Sequence, residues 1–486
     1  MMKKNSFYIT TTLPYVNAPL HLGHALELVR ADTIARYKKL AGYDVYFNTG
    51  TDEHGIKIYE KAREKNIPIQ EFVDRGFDTF QKQLKMFGMT DDAHFIRTTN
   101  LHHQTAVQEF WKRVHKNGYI YKKNYEAKYC VGCESEKTDS ELNDLGECEI
   151  HPGQPAETIK EENYFFRYSA FADMLLDFYG KNPNFIVPDF RFNEIKNFVK
   201  NGLRDFSISR LKSKMPWGVS VPEDEEHVIY VWFDALVNYI STLGWPENKE
   251  KFQKYWINGN PTQYCGKDNT RFQGAMWQAM LMAADLSNSY QIVVDGFIIG
   301  EGGARMSKTL SNVIDPRDIV EEYGVDALRF FLLKEVSSFE DSPFTMERFK
   351  NAYNAGLANG LGNLTSRIMK MAEGNFDAPI IAPEKEFKFN LIVKNAVESF
   401  DLKLAMDVIW GNLSELDEII QREEPFKLIK NNKEKGKEII KNLVLLLLYN
   451  ARQLEPFLPE TSKKIQEAIF SNKMPEPPLF LRKRII

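Results

Sequence analysis

A chain of 486 residues is too long for a single hydrophobic core and calls for two to four domains. Hydrophobic residues at 43% and charged residues at 27% are ordinary for a soluble globular protein. A net charge of −4, with a pI near 6.2, excludes a generic polyanion binder, so any nucleic-acid partner has to meet a local basic face.

The N-terminus, MMKKNSFYITTTLPY, has no apolar stretch long enough for a signal peptide. The longest aliphatic run, Leu443 to Leu448, is too short to cross a bilayer, so a cytoplasmic protein without a membrane partner is expected. Phe7 to Thr12 reads as a strand that Pro14 breaks. His21-Leu22-Gly23-His24 then opens a run of helix formers from Ala25 to Leu40 that stops at Gly42. A helix N-terminus presents unpaired backbone N–H groups and the positive end of a dipole, so it holds a phosphate, and two imidazoles there add further donors. Val45 to Thr49 reads as a second parallel strand, ending in Gly50-Thr51-Asp52-Glu53-His54-Gly55. The carboxyl ends of such strands are where open α/β sheets place ligands. From Ile69 to Phe87, Val73, Phe77, Phe80, Leu84 and Phe87 recur at helical spacing and belong to the core.

After Asn117 the pattern turns irregular and aromatic through Pro222, as an insertion between two halves of a sheet would. Within it, Cys130-Val-Gly-Cys133 and Cys148-Glu-Ile-His151 offer three thiolates and an imidazole at C-x2-C-x14-C-x2-H spacing. That is the donor set of a closed, structural zinc site, with a metal-free knuckle or another metal as the alternatives. Cys265 stands apart and reads as a small buried residue. The sheet is expected to resume at Val228 to Phe233 and to continue through Gln263 to Cys265 and Gln291 to Val294. Gly300, Gly302 and Gly303 then free the backbone before Arg305-Met306-Ser307-Lys308-Thr309, a loop whose cations can close over a polyphosphate. From Asn351 onward the chain reads as helices over Leu357 to Met371, Phe389 to Arg422 and Lys435 to Leu454.

These segments together resemble the class I aminoacyl-tRNA synthetases, with HLGH as the first signature and RMSKT as a variant of the second. Within that class the chain resembles the methionyl-tRNA synthetase family. The resemblance rests on Thr11-Thr12-Leu13-Pro14-Tyr15-Val16-Asn17, Thr51 to Gly55, the cysteine knuckle, Val231-Trp232-Phe233-Asp234-Ala235 and Gly266-Lys267-Asp268. It implies an α/β fold: a Rossmann-type parallel-sheet catalytic domain split by the zinc-knuckle insertion, followed by an all-α anticodon-binding helical domain. The expected divisions are 1–117 and 227–302 for the two halves of the catalytic domain and 118–226 for the insertion, with the knuckle at about 126–160. The signature loop and stem-contact region would span 303–350, and the helical domain 351–486.

The resemblance implies an ATP-dependent methionine–tRNA ligase, with roles carried over position by position. His21, His24, Arg305 and Lys308 would contact the phosphates. Gly23, Glu27, Asp268 and Lys308 would bind ATP, and Mg2+ would accompany it beside a structural Zn2+. Asp52 would hold the α-ammonium of L-methionine, and Leu13, Tyr15, Trp232, Ala235 and Tyr239 would surround its thioether. Asn363, Arg367 and Phe426 match anticodon-reading positions, so tRNA(Met), initiator tRNA included, is the expected partner. Lys427, Lys430, Lys433, Lys435, Lys437 and Lys441 would track phosphate or form a solvated face. No appended dimerisation module follows Ile486, so a monomer is expected.

The chain departs from the family in its own pocket. Asn269 and Gln273 stand where isoleucine and histidine are usual, and Gln278 replaces a proline. Arg305 replaces a lysine, exchanging a compact ammonium for a planar fork, and Phe426 replaces a tryptophan. Unpaired buried amides facing an apolar substrate are costly, so altered amino-acid selectivity is one alternative to methionine. A non-catalytic tRNA-binding relative is the other.

Overall fold

The computed structural model of the chain describes residues 5–133, 135–300, 314–380 and 387–483. Arg305 and Lys308 lie outside the described residues. Two compact units divide the chain, one of residues 1–20, 38–84 and 91–294, the other of 21–37, 85–90 and 295–486.

The first unit is built on a six-stranded sheet in the order His94–Arg97, Asp44–Thr51, Ser6–Thr11, Thr262–Gly266, Gln291–Asp295, Ile186–Val187. Every described pairing in it is parallel, with Ile9 opposite both Phe47 and Thr262. The central strand Ser6–Thr11 is buried from Phe7 onward, as expected of a parallel strand covered on both faces. Its core continues into an aromatic cluster that includes Tyr8, Phe110, Trp111, Phe166, Phe233, Trp256 and Trp277. Cys265 lies fully buried there, in agreement with its reading as a small core residue.

The segment expected as an insertion, 118–226, lends Ile186–Val187 to the parallel sheet and otherwise builds two further sheets, one of four strands around the long pair Ile120–Cys130 and Glu157–Phe166, the other of three strands completed by Asp224–Ile229. The strand expected over Val228 to Phe233 is corrected here. Asp224–Ile229 is the strand, and it pairs antiparallel with Ser209–Leu211 in the three-stranded sheet, outside the parallel one. Val231–Ala235 is a helix, because the N–H groups of Phe233 and Asp234 turn back to the Tyr230 carbonyl at 2.9 and 3.0 Å.

The helix Leu22–Leu40 begins three residues before the expected Ala25, with the His21 carbonyl accepting from the Ala25 N–H at 3.0 Å. Within the second unit, this helix is held by buried cations. Arg30 pairs with Asp295 at 2.6 Å and donates to the Ser337 and Ser338 carbonyls, and Arg329 pairs with Asp32 at 2.8 Å. The C-terminal region is helical as expected, with three differences, one of them a short helix over Pro425–Asn431. The helix read over Phe389 to Arg422 is two, Leu391–Glu398 and Leu402–Glu423, parted at Phe400, whose φ is +63°. Asp401 restarts the second by accepting from the Leu404 N–H at 3.0 Å. A last helix, Pro459–Ser471, packs against Lys433–Leu454. No described helix is long and apolar enough to cross a membrane.

Candidate active site

Thr51 to His54 leaves the second strand already locked in place. Glu53 is fully buried and accepts from Thr51 Oγ1 and Arg97 Nε, both at 2.7 Å, and from the Thr99 hydroxyl. Its carbonyl accepts from Trp217 Nε1 at 2.6 Å. Asp52 is 4% exposed; its N–H donates to the Pro14 carbonyl at 3.0 Å and its own carbonyl accepts from Val16 at 3.3 Å. That short parallel bridge sets Tyr15 opposite Asp52, with Leu13 buried beside it. Lys57 Nζ stands 5.2 Å from the centre of the Tyr15 ring.

The remaining residues of the expected pocket come from the short helices after Tyr230. Trp232 is half-buried and stacks face to face on Phe272, with ring centroids 3.8 Å apart and planes 6° from parallel. Phe272 is a residue the sequence reading missed; its only signal was an aromatic beside Gln273. Ala235 and Tyr239 are buried, and the Tyr239 carbonyl accepts from Tyr8 Oη at 2.7 Å. Asp234, on the same helix as Trp232, meets His54 Nδ1 at 2.6 Å and His103 Nε2 at 2.8 Å. Burial alone would push its carboxyl up, but the two histidines hold it below the usual carboxylate range.

The amides that depart from the family are engaged. Gln273 Nε2 donates to Thr12 Oγ1 at 3.0 Å and its Oε1 accepts from Gln263 Nε2 at 3.1 Å. Gln278 Nε2 donates to the Gln273 carbonyl at 2.8 Å and to Ser289 Oγ at 3.1 Å, while its Oε1 accepts from Ser289 N–H and Asn288 Nδ2, each at 3.1 Å. The Ser289 hydroxyl closes the ring onto Gln263 Oε1. Asn269 does not join this ring; its Nδ2 lies 3.4 Å from Asp268, on a 3-10 turn whose Asp268 is exposed.

In the second unit, His21 and His24 stack with ring centroids 3.9 Å apart. The Gly23 N–H donates to His21 Nδ1 at 3.0 Å and the His21 N–H to His24 Nδ1 at 3.3 Å. Both Nδ1 atoms are therefore acceptors, which leaves each neutral ring its proton on Nε2 as a donor. Burial and the neighbouring His21 push the His24 pKa well below its usual value. A Cβ at Gly23 would lie 2.9 Å from the His21 ring as it stands, so a side chain there would move that ring. Glu27 is half-buried on the same helix.

The family described as "tRNA synthetases class I (M)" matches residues 7–152 and 139–369. A methionine–tRNA ligase of Caldanaerobacter subterraneus is 42% identical over 480 residues, covering 96% of this chain and 74% of that protein. The chain belongs to the methionyl-tRNA synthetases. A methionine–tRNA ligase of Rickettsia typhi is 40% identical, with 96% of this chain and 93% of that one covered. Among solved structures, a Mycobacterium tuberculosis methionyl-tRNA synthetase in complex with methionyl-adenylate superposes with a TM-score of 0.89 at 34% identity. It covers 99% of this chain and all of that one.

Two further residue sets singled out in the sequence are well defined. Cys130, Cys133, Cys148 and His151 bring their donor atoms within 4.8 Å of one another, with Cys130–Cys148 and Cys133–His151 Nδ1 each at 3.3 Å. A tetrahedral zinc with ~2.3 Å bonds to sulfur needs donor separations of about 3.8 Å, so the set fits the ion after a small expansion. Gly132 lets the knuckle close, since a Cβ there would sit 2.4 Å from the His151 ring. In the helical unit, Asn363 is exposed at the start of the helix Asn363–Glu373, and Arg367 is ion-paired with Asp417. Phe426 is 46% exposed, with Lys427 Nζ 5.9 Å from its ring centre. Lys430, Lys433, Lys435 and Lys441 are exposed, whereas Lys437 is half-buried against the Phe376 ring.

Proposed function

We propose that this chain is a methionine–tRNA ligase that couples L-methionine to ATP, giving methionyl-adenylate and pyrophosphate. It then passes the methionyl group to the 3'-terminal ribose of tRNA(Met), including the initiator species. The observation that carries this reading is the buried carboxylate of Asp52, set opposite Tyr15 at the carboxyl end of a parallel strand. Asp52 would bind the α-ammonium, and Leu13, Tyr15, Trp232, Ala235 and Tyr239 the side chain. Because Thr12 and Gln263 engage the Gln273 amide, it presents no orphaned group to a thioether, which supports methionine over altered selectivity.

A carboxylate is already ionised at neutral pH, so no general base is required. Rate comes from alignment and from donors placed where charge develops. The Nε2–H groups of His21 and His24 would donate to phosphate oxygens, with Gly23, Glu27 and Asp268 near the adenosine. Lys308 and Arg305 are assigned to the departing pyrophosphate. Magnesium, when bound with ATP, neutralises polyphosphate charge. Zinc held by Cys130, Cys133, Cys148 and His151 would be structural, since four protein ligands leave no open position. The same reading assigns 1–117 and 227–302 to catalysis, 118–226 to the insertion, 303–350 to the signature loop and 351–486 to the anticodon, read by Asn363, Arg367 and Phe426.

The test is ATP–pyrophosphate exchange by the full chain with each of the twenty amino acids. Exchange with methionine alone is expected. Exchange with a different amino acid would transfer specificity to Asn269 and Gln273. Silence with all twenty would leave a tRNA-binding relative.

A further inference from the structure

Within the first unit, a buried contact joins the segment that carries Asp52 to the helix that carries Trp232, and the adenylation chemistry makes no use of it. His54 donates its backbone N–H to Asp52 Oδ1 at 3.3 Å, while its ring Nδ1 meets Asp234 Oδ2 at 2.6 Å. Asp234 belongs to the helix Val231–Ala235, which also bears Trp232 and Ala235. Its other oxygen meets His103 Nε2 at 2.8 Å, and the Ser241 hydroxyl lies 2.8 Å from His103 Nδ1. His54 is 3% exposed, and Asp234 and His103 are fully buried. The Trp217 ring stands edge-on to His54, at 5.6 Å between centroids.

A carboxylate withdrawn from water persists only with good partners on both oxygens, and such a contact tolerates little displacement. One residue, His54, therefore orients the Asp52 carboxylate through its main chain and is itself anchored through its side chain to the aromatic wall. We propose that His54 and Asp234 are positioning residues that fix the distance between the ammonium-binding carboxylate and the thioether-binding wall. His103 serves as the second anchor of Asp234. The proposal rests on the methionine-ligase reading and names what sets its substrate geometry. Neither residue is catalytic, since each acts through another. Misplacing Asp52 relative to Trp232 weakens capture of an amino acid that must satisfy both, and leaves ATP binding alone.

The experiment is ATP–pyrophosphate exchange by the full chain carrying Asp234→Asn or His54→Gln, with thermal melting measured alongside. The KM for methionine is expected to rise about tenfold or more, as displacements near 1 Å do. The KM for ATP should stay within about twofold of the parent, the pattern of a lost substrate-side contact. Inhibition by 4-(methylthio)butanoate, which lacks the ammonium, should also stay within about twofold. Asp326→Ala, which removes the acceptor of the Thr461 N–H in the other unit, supplies a destabilised control whose methionine KM should not move. If Asp234→Asn does not fold, His54→Gln, which keeps the Asp234–His103 pair, decides alone. An unchanged methionine KM, or methionine and ATP KM values that rise together, overturns the positioning role while the ligase reading stands. A parent chain silent with every amino acid overturns both.

Discussion

The proposed methionine site and two of the three proposed anticodon residues obey opposite rules, Arg367 being half-buried and ion-paired with Asp417. In the first unit, Asp52, Asp234 and Gln273 are at most 4% exposed, and each is hydrogen-bonded within the protein. In the second, Asn363 is exposed and Phe426 is 46% exposed. A small substrate with one cation and one apolar side chain is best met by groups whose orientation is fixed in advance, because little binding energy is available to order them. A large polyanion brings its own contact area, and an unstacked base needs an uncovered aromatic face. Substitutions in the first region should therefore disturb amino-acid binding and folding together, and those in the second should disturb tRNA binding alone.

The largest effect expected is at Asp52. Asp52→Ala removes the proposed charge-assisted contact, worth up to about 3 kcal/mol, so kcat/KM for methionine in pyrophosphate exchange should fall by roughly 100-fold. Affinity for tRNA should be unchanged. If tRNA affinity fell equally, the separation of the two regions would be lost. Next comes the amide ring. Gln278→Leu orphans the Ser289 N–H and takes a donor from the Gln273 carbonyl, and should lower stability by about 1–3 kcal/mol in urea unfolding. Its effect on methionine KM should be smaller than that of Asp52→Ala, because Gln273 keeps Thr12 and Gln263. Phe426→Ala sharpens the contrast from the other side. It should weaken tRNA binding by about 1 kcal/mol or more, as loss of a stacking platform does, with tRNA-independent exchange and the unfolding midpoint unchanged.

Four strands of the parallel sheet were legible in the sequence because they are short β-forming runs bounded by polar turns, as at Asp44–Thr51 and Gln291–Asp295, whereas His94–Arg97 and Ile186–Val187 are too short to show a pattern. The knuckle was legible because ligand spacing is a local property. The strand at Asp224–Ile229 misled because Val228 and Ile229 are apolar like a parallel strand, and nothing in Tyr230-Val231-Trp232 marks a turn into helix. The break at Phe400 carries no glycine or proline; Phe400 takes the positive φ of a helix C-terminal cap, in which the Asp401 N–H returns to the Ala396 carbonyl at 2.8 Å. His103 went unread for a different reason. It lies 131 residues from Asp234, and only the fold brings the two rings and the carboxylate together. The same holds for Gln263, 10 residues from Gln273 but on another element. Sequence marked which amides were unusual, and not that they satisfy one another.

The smallest effect tests whether preorganisation within the protein extends to the histidines proposed to bind phosphate. Burial and His21 hold the His24 pKa well below its usual value, so the folded chain keeps this ring neutral where the unfolded chain takes up a proton. Stability attributable to it is therefore complete above about pH 6.5, the ordinary histidine pKa, and falls as pH drops below that value. The loss stops once pH passes beneath the folded pKa, and its slope cannot exceed about 1.4 kcal/mol per pH unit. Urea unfolding at pH 7, 6 and 5.5 should show this slope in the parent chain and a shallower one in His24→Gln, the difference isolating the ring from the carboxylates that titrate lower. Phe426→Ala should keep the parent slope. Equal slopes in the parent and His24→Gln would mean that His24 is as readily protonated in the fold as out of it. His24 would then contribute nothing to the pH dependence of stability.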